Sequence, residues 1–406
     1  MAAVTAKPPI VMVPGLAGSV FRAKLDGTAK PPHIWCSRKT SDWFVTWLNI
    51  EELLPEQKDC LLARLISTFN VTDATYHDAT GVELDTNVDL GGVDGIAYLD
   101  PSVHAGASNY FGTMVDYFEG KGYKRNLDLH GAPYDWRAAP DGHNATGAFY
   151  DKLQSLIETS VERNAAKATI VTHSLGGPTT LAFLASRPAG WVAKYVASFV
   201  PISAPWGGAT LMARADISGD NFGLPLVPSD YLKPVQKTSA SGVFLLPMPT
   251  AFGDHVVVRA GSTNYSAADM PALLGDLGLS QAAAVHAHLE QLALNADDLP
   301  APPVRTLCIT SKGVKTAQTY VYSDAMSPGF DKTPDSVEYG DGDGTVNLVS
   351  LRYGQDGGWP TDGVPRSFMT VDGVAHFDMV KDSSVLAAIA AFIGQNASSV
   401  DVVEAS

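Results

Sequence analysis

Apolar residues along the chain fall into two alternating patterns. Short continuous runs recur at Ile10-Val11-Met12-Val13 and at 168–172, 195–202, 255–260, 304–310 and 367–371. Runs of this length, bounded by glycine, proline or polar residues, predict strands buried on both faces. Segments with helical spacing lie between them. In 109–120, NYFGTMVDYFEG, the residues Phe111, Met114, Val115 and Phe118 sit at i, i+3, i+4 and i+7, which is one face of a helix. Residues 147–163 read as a second helix, and 383–393 as a capped apolar helix near the end. This alternation predicts an α/β fold, a mostly parallel sheet with helices on both faces.

Two stretches break the rhythm. Residues 36–66 hold Trp43, Phe44, Trp47 and Leu48 and then a Leu-rich segment, with a cysteine near each end. Residues 211–300 are rich in Pro, Gly, Ala and Leu and show one clear strand. Both read as insertions over one face of the sheet. The expected division is a core of 1–35, 71–210 and 301–406, an insertion at 36–70 and a cap at 211–300. No stretch reaches the roughly 18 unbroken apolar residues of a membrane-spanning helix.

Charge narrows the function classes. With 28 basic and 43 acidic residues the chain carries a net −15. That excludes nucleic acid as a partner, because neutralising phosphates takes basic patches. It also supplies no attraction to an anionic membrane, so docking on lipid would rest on apolar contact or on an acidic compartment. The cysteines, Cys36, Cys60 and Cys308, have no zinc-site spacing, and no metal or organic cofactor is expected. Sequons for N-glycosylation start at Asn70, Asn144, Asn264 and Asn396, whereas the opening MAAVTAKPP has no signal-peptide core.

The candidate chemistry begins at THSLGG, Thr172 to Gly177. A strand, ATIVT, leads into Ser174, and a helix with Pro178 in its first turn follows. That is the strand–turn–helix setting of a nucleophile elbow, which wants small residues two before and two after the serine. Gly176 meets that need; Thr172 is bulkier than the position prefers. The competing reading is a serine that only caps a helix. His376, on the loop after the strand 367–371 and before the last helix, is the candidate base. His173 is expected to point to the opposite side of the turn as a packed neighbour. The acid lies between serine and histidine in the hydrolase order, on YGDGDGTVN, where Asp341 and Asp343 both qualify by spacing. A calcium loop is excluded there, because Arg352 takes the place of the closing glutamate. The oxyanion donors fall on the backbone of Leu175, which follows the serine, and of Leu16, in the turn after IVMV.

Taken in order, PPIVMVPGLAGSVFRAKLDG, CSRKTSDWFVTWLNIEELLP, YFGTMVDYFEGKGY, GAPYDWRAAP, HSLGG, SAPWGG, GDGDGTVN and GVAHFDMV resemble the lecithin:cholesterol acyltransferase family from about Pro8 to Ile393. The resemblance implies an α/β-hydrolase fold with a membrane-binding insertion and a cap. It implies Ser174, Asp343 and His376 as the catalytic residues, with Leu16 and Leu175 as oxyanion donors. It implies a Cys36–Cys60 disulfide holding a subdomain whose Trp43, Phe44 and Trp47 meet the membrane, and glycosylation at Asn70 and Asn264. The expected reaction is acyl transfer from a glycerophospholipid, at a membrane or lipoprotein surface, to a lipid alcohol acceptor or water. The expected place is secreted, or a lysosomal or vacuolar lumen. Two features depart from the family: Thr172 stands where relatives carry glycine or alanine, and Cys308 has no partner. The rival readings are a lipid-binding relative without catalysis and a carboxylesterase for soluble esters.

Overall fold

The computed structural model describes residues 7–104, 106–145, 147–223, 227–292 and 300–395. A six-stranded sheet forms the centre. Its order from one edge to the other is Arg366–Asp372, Thr306–Lys312, Val196–Ile202, Ala168–His173, Ile10–Val13 and Leu129–Gly131, and every neighbouring pair is parallel. The strands Ile10–Val13 and Ala168–His173 are interior to the sheet and buried at every position. This is why they read as unbroken apolar runs rather than as alternation. Five of the six sheet strands coincide with the expected runs to within two residues; the short Leu129–Gly131 was not expected.

Helices pack on this sheet by the faces their spacing defines. The helix Gly112–Gly120 buries Met114, Val115 and Phe118. The helix Phe149–Asn164 buries Phe149, Tyr150, Leu153 and Ile157. The last helix, Ser383–Gly394, starts at Asp382, whose carboxylate accepts the amides of Ser384 and Val385 and so satisfies donors that lack an intrahelical partner. None of the described helices is long and apolar enough to cross a membrane.

The two expected insertions differ from their drawn boundaries. A second, four-stranded sheet runs Thr263–Ser266, Val256–Ala260, Thr316–Tyr322 and Ser336–Gly340. It shares an apolar core with the helices after residue 210, through Val257, Val258, Tyr320, Tyr322 and Phe330. A cap ending at 300 would cut this sheet in two, because Val256–Ala260 pairs with Thr316–Tyr322. The first insertion is likewise stitched to the chain on either side. Its strand Phe44–Trp47 pairs with Phe21–Leu25, which pairs in turn with Val82–Asp85.

Cys36 and Cys60 form a disulfide, and Cys308 is buried and free. The large apolar residues in and around the segment that this disulfide closes divide into two groups. Ile34, Trp35, Trp43 and Leu54 are exposed, Ile34 fully and Trp43 at 40%. Trp47, expected at the membrane face, is instead core, at 1% exposure. Its indole N–H donates to the Ala17 carbonyl at 2.8 Å, and its ring lies 5.3 Å from that of Trp136. Phe44 is half-buried with the Arg64 guanidinium over its ring. The reason lies in the pleat: side chains alternate along a strand, and hydropathy alone does not say which of Trp43, Phe44 and Trp47 turns inward. Of the sequons, Asn70 and Asn264 are exposed; Asn396 lies outside the described residues.

Removing the two tryptophans should therefore have unequal effects. Trp47→Ala is expected to lower unfolding free energy by roughly 3–5 kcal/mol, as for a buried aromatic, and Trp43→Ala by less than about 1 kcal/mol. Denaturant titration of both variants checks this; equal losses would put Trp43 in the core as well.

Candidate active site

Ser174 stands where the central strand ends and the helix Gly176–Ser186 begins. Its φ is 53°, a left-handed backbone that costs an L-residue roughly 1–2 kcal/mol. Its amide donates to the Ile202 carbonyl at 2.9 Å and its carbonyl accepts from Gly177 at 2.8 Å, so both sides of the turn are pinned. The glycines follow from close approach. A Cβ on Gly176 would sit 2.5 Å from the Pro14 carbonyl oxygen, and one on Gly177 2.6 Å from the Ala204 Cβ. Gly15 approaches from the opposite loop, where a Cβ would meet the Ser174 Cβ at 2.9 Å. Thr172 sits between Val13 and Pro201 in register. It is fully buried, and its hydroxyl has no hydrogen-bond partner. The crowding that a residue larger than glycine brings is thus confined to the strand, and the turn forms beyond it.

The two aspartates that spacing alone could not separate part company here. Asp343 is fully buried. Its Oδ2 lies 2.6 Å from His376 Nδ1, while its Oδ1 accepts the amides of Thr345 at 3.1 Å and Val346 at 2.8 Å. The His376 amide also donates to the Asp343 carbonyl at 2.8 Å. Asp341 turns the other way and uses its Oδ1 to accept the amides of Gly313 and Gly342. One aspartate orients the histidine; the other builds the loop that carries the first.

His173 is buried, as expected of a packed neighbour, but it does not turn away from the site. Its ring centroid lies 4.7 Å from that of His376. Burial, and then the nearby His376, holds its pKa well below the ordinary histidine value, so the ring is neutral. Its Nε2 is 3.0 Å from the His376 carbonyl oxygen, which can only accept. The proton therefore sits on Nε2, and Nδ1 accepts from the Tyr110 hydroxyl at 2.6 Å. The same hydroxyl accepts the Gly15 amide at 3.0 Å. A polar chain thus runs from the Leu16 loop through Tyr110 and His173 to the loop of His376. Tyr110 escaped the sequence reading because a tyrosine just before a helix looks like any core aromatic.

Ser174, His173, His376, Leu16 and Tyr110 line one cavity of about 50 Å³, closed by Met212, Phe222, Leu245 and Val346. Among the described residues neither the Leu16 nor the Leu175 amide donates to a protein acceptor, which leaves both available to an incoming oxyanion. Asp343 backs His376 from behind. A serine hydroxyl and a carboxylate-oriented imidazole thus share one apolar space with the Leu16 loop, an arrangement chemically suited to acyl transfer. Among the described residues no group of three or more His, Cys, Asp or Glu could hold a metal ion.

Comparison with known proteins gives this arrangement a context. The family model "Lecithin:cholesterol acyltransferase" matches residues 43–289. "Lysosomal phospholipase A and acyltransferase" of Rattus norvegicus is 33% identical over 94% of this chain and 89% of its own length. "Lecithin-cholesterol acyltransferase-like 1" of Arabidopsis thaliana is 34% identical over 93% and 88%. Among solved structures, a chain of the Tle4-Tli4 complex matches with a TM-score of 0.57 at 14% identity, covering 96% of this chain and 98% of that one. That last likeness is one of fold alone.

Two outcomes follow from the geometry. Asp343→Asn should lower turnover by about three to four orders of magnitude, as loss of an imidazole-orienting carboxylate does. Asp341→Asn should cost less than about tenfold, since an amide oxygen still accepts the loop amides. Steady-state kinetics on the two variants decides, and the reverse ranking would move the acid to Asp341. Thr172→Val should leave activity in place and raise the melting temperature slightly, because it deletes a buried, unpartnered hydroxyl worth about 1 kcal/mol. A drop in melting temperature would mean that the Thr172 hydroxyl is bonded after all.

Proposed function

The chain belongs to the lecithin:cholesterol acyltransferase family, and from that premise we propose that Ser174 carries a fatty acyl group between lipids. The coarse activity, lipid acyltransferase and phospholipase, is that of the family. The finer reading concerns substrate and residues. The Ser174 hydroxyl attacks an ester carbonyl of a glycerophospholipid, and its proton passes to His376 Nε2. The tetrahedral oxyanion faces the Leu16 and Leu175 amides. Collapse expels the lysophospholipid oxygen, which takes the proton back from His376 and leaves an ester on Ser174. A lipid alcohol or water then attacks that ester by the same steps in reverse order. Asp343 holds the imidazole by its Nδ1–H and stabilises the cation formed in transit. The observation that carries this reading is the single cavity where Ser174, His376 and Leu16 meet, with Asp343 2.6 Å behind the imidazole. No cofactor enters any step.

Docking on lipid follows from the insertion. A chain of net −15 gains nothing from anionic headgroups, so contact is apolar. Ile34, Trp35, Trp43 and Leu54, exposed within or next to the segment that the Cys36–Cys60 bridge closes, are the side chains that would enter a bilayer or lipoprotein interface. Trp47 is withdrawn from that role because it is buried. A lysosomal or vacuolar lumen, or the outside of the cell, suits the disulfide and the exposed Asn70 and Asn264, which we take as glycosylated.

The test is product analysis. Phospholipid vesicles doped with a long-chain alcohol should yield lysophospholipid, free fatty acid and the alcohol's fatty ester. Ser174→Ala should yield none of these and lose labelling by a fluorophosphonate probe. Trp43→Ala should slow turnover on vesicles more than turnover of a soluble short-chain ester. Full activity in Ser174→Ala would remove the proposed nucleophile.

A further inference from the structure

Tyr110 stands between the two loops that the proposed chemistry needs, and it touches both. Its amide donates to the Ala97 carbonyl at 2.9 Å, and its side chain is buried. The ring fits where Gly18 has no side chain, since a Cβ there would lie 2.6 Å from Tyr110 Cε1. Phe377, the residue after the proposed base, stacks on the same ring with centroids 5.1 Å apart and 15° between the planes. The hydroxyl repeats this link in polar form. It accepts the Gly15 amide at 3.0 Å and donates to His173 Nδ1 at 2.6 Å. The Nε2–H of His173 then meets the His376 carbonyl at 3.0 Å. Burial raises the Tyr110 pKa, so the hydroxyl keeps the proton that it donates.

The consequence for Leu16 follows from peptide geometry. The Gly15 carbonyl accepts the Gly18 amide at 3.1 Å. A planar trans peptide points its C=O and its N–H in opposite directions, so the Leu16 N–H is turned away from Gly18. The peptide before it is held by the Gly15 amide on the Tyr110 oxygen. These two bonds restrain the backbone on both sides of Gly15, a residue with no side chain to limit its own rotation. Without the hydroxyl, a buried Gly15 amide and His173 Nδ1 both lose their partner, and the loop can relieve that only by moving.

We propose that Tyr110 is a positioning residue for acyl transfer, whose hydroxyl aligns the Leu16 amide and the His376 loop with each other, so that oxyanion donor and base are set as one unit. The inference rests on the acyl-transfer reading above. It carries a kinetic signature. An oxyanion forms both when Ser174 is acylated and when the acyl-enzyme is cleaved, so misalignment slows the two steps by a similar factor. Turnover then falls, while KM, which depends on the ratio of the steps and on binding, stays in place.

Tyr110→Phe keeps the ring and deletes the hydroxyl alone. Its turnover of a soluble short-chain ester, for which membrane docking plays no part, is divided by the fraction of enzyme that a fluorophosphonate probe labels at completion. Per labelled site, kcat should fall about tenfold to a hundredfold with KM within about twofold. His173→Leu, which cuts the same chain at its next link, should lose a similar factor, and the double variant about as much as the worse single one. Should Tyr110→Phe yield no labelled protein, His173→Leu carries the same reading. A lower labelled fraction with kcat per site unchanged would mean that the hydroxyl serves stability alone, and the proposal falls. Losses that multiply in the double variant overturn it too, since the two residues would then act separately. If the wild type neither takes the label nor hydrolyses the ester, the acyl-transfer reading itself falls, and the role of Tyr110 with it.

Discussion

Ser174 keeps a left-handed backbone, φ 53°, only because everything around it is too close to let it relax. Gly176 lies under the carbonyls of Val13 and Pro14, Gly177 against Ala204, and Gly15 against the Ser174 Cβ itself. Any Cβ at these places would push the helix off the sheet or the loop off the serine. Two adjacent interior strands fix the geometry, since Ile10–Val13 and Ala168–His173 run side by side and end within a residue of each other. The loop after the first and the turn after the second must therefore meet. That meeting brings Leu16 and Ser174 to one cavity.

The remaining parts are aligned by polar bonds rather than by sterics. The donor order from Gly15 to Tyr110 to His173 to the His376 carbonyl has one self-consistent assignment, because a neutral His173 must donate from Nε2 and accept at Nδ1. Asp343 completes the opposite side through the His376 ring and backbone. His376 is thus held by its carbonyl from one side and by its imidazole from the other. A ring held twice has little freedom left to lose, which is what the proposed role of His376 as general base asks of a preorganised site. His173 and Tyr110 touch no reacting atom in this scheme; they act by position.

What was legible in the sequence follows from which physical signals are local. The central strands read as apolar runs because both faces are covered. The elbow was legible because its small residues are required within three positions of Ser174. The choice between Asp341 and Asp343 was not, since two residues on an extended loop have equal spacing and differ only in what folds against them. Tyr110 was invisible for a similar reason: its partner His173 is 63 residues away. The second sheet was missed because its strands are half-exposed and come from segments either side of residue 300, where no single run announces a sheet. Trp47 was misplaced because composition reports that aromatics abound between the cysteines, and only pairing with Phe21–Leu25 says which one turns inward.

That inward tryptophan changes how the insertion should be understood. Its indole donates to the Ala17 carbonyl, and Ala17 itself holds a left-handed φ of 61° one residue after Leu16. The strand that ends at Trp47 begins at Phe44, next to the exposed Trp43. The same short segment therefore presents Trp43 to solvent and, four residues on, braces through Trp47 the loop that bears a proposed oxyanion donor. A loop with a strained residue and a free amide needs an anchor that does not compete for that amide. A carbonyl-directed indole provides it, because it takes the acceptor of Ala17 and leaves the donor of Leu16 unspent. The insertion thus braces the loop of Leu16 from behind through Trp47, and its first strand is paired into a sheet with Phe21–Leu25 instead of hanging from the disulfide alone.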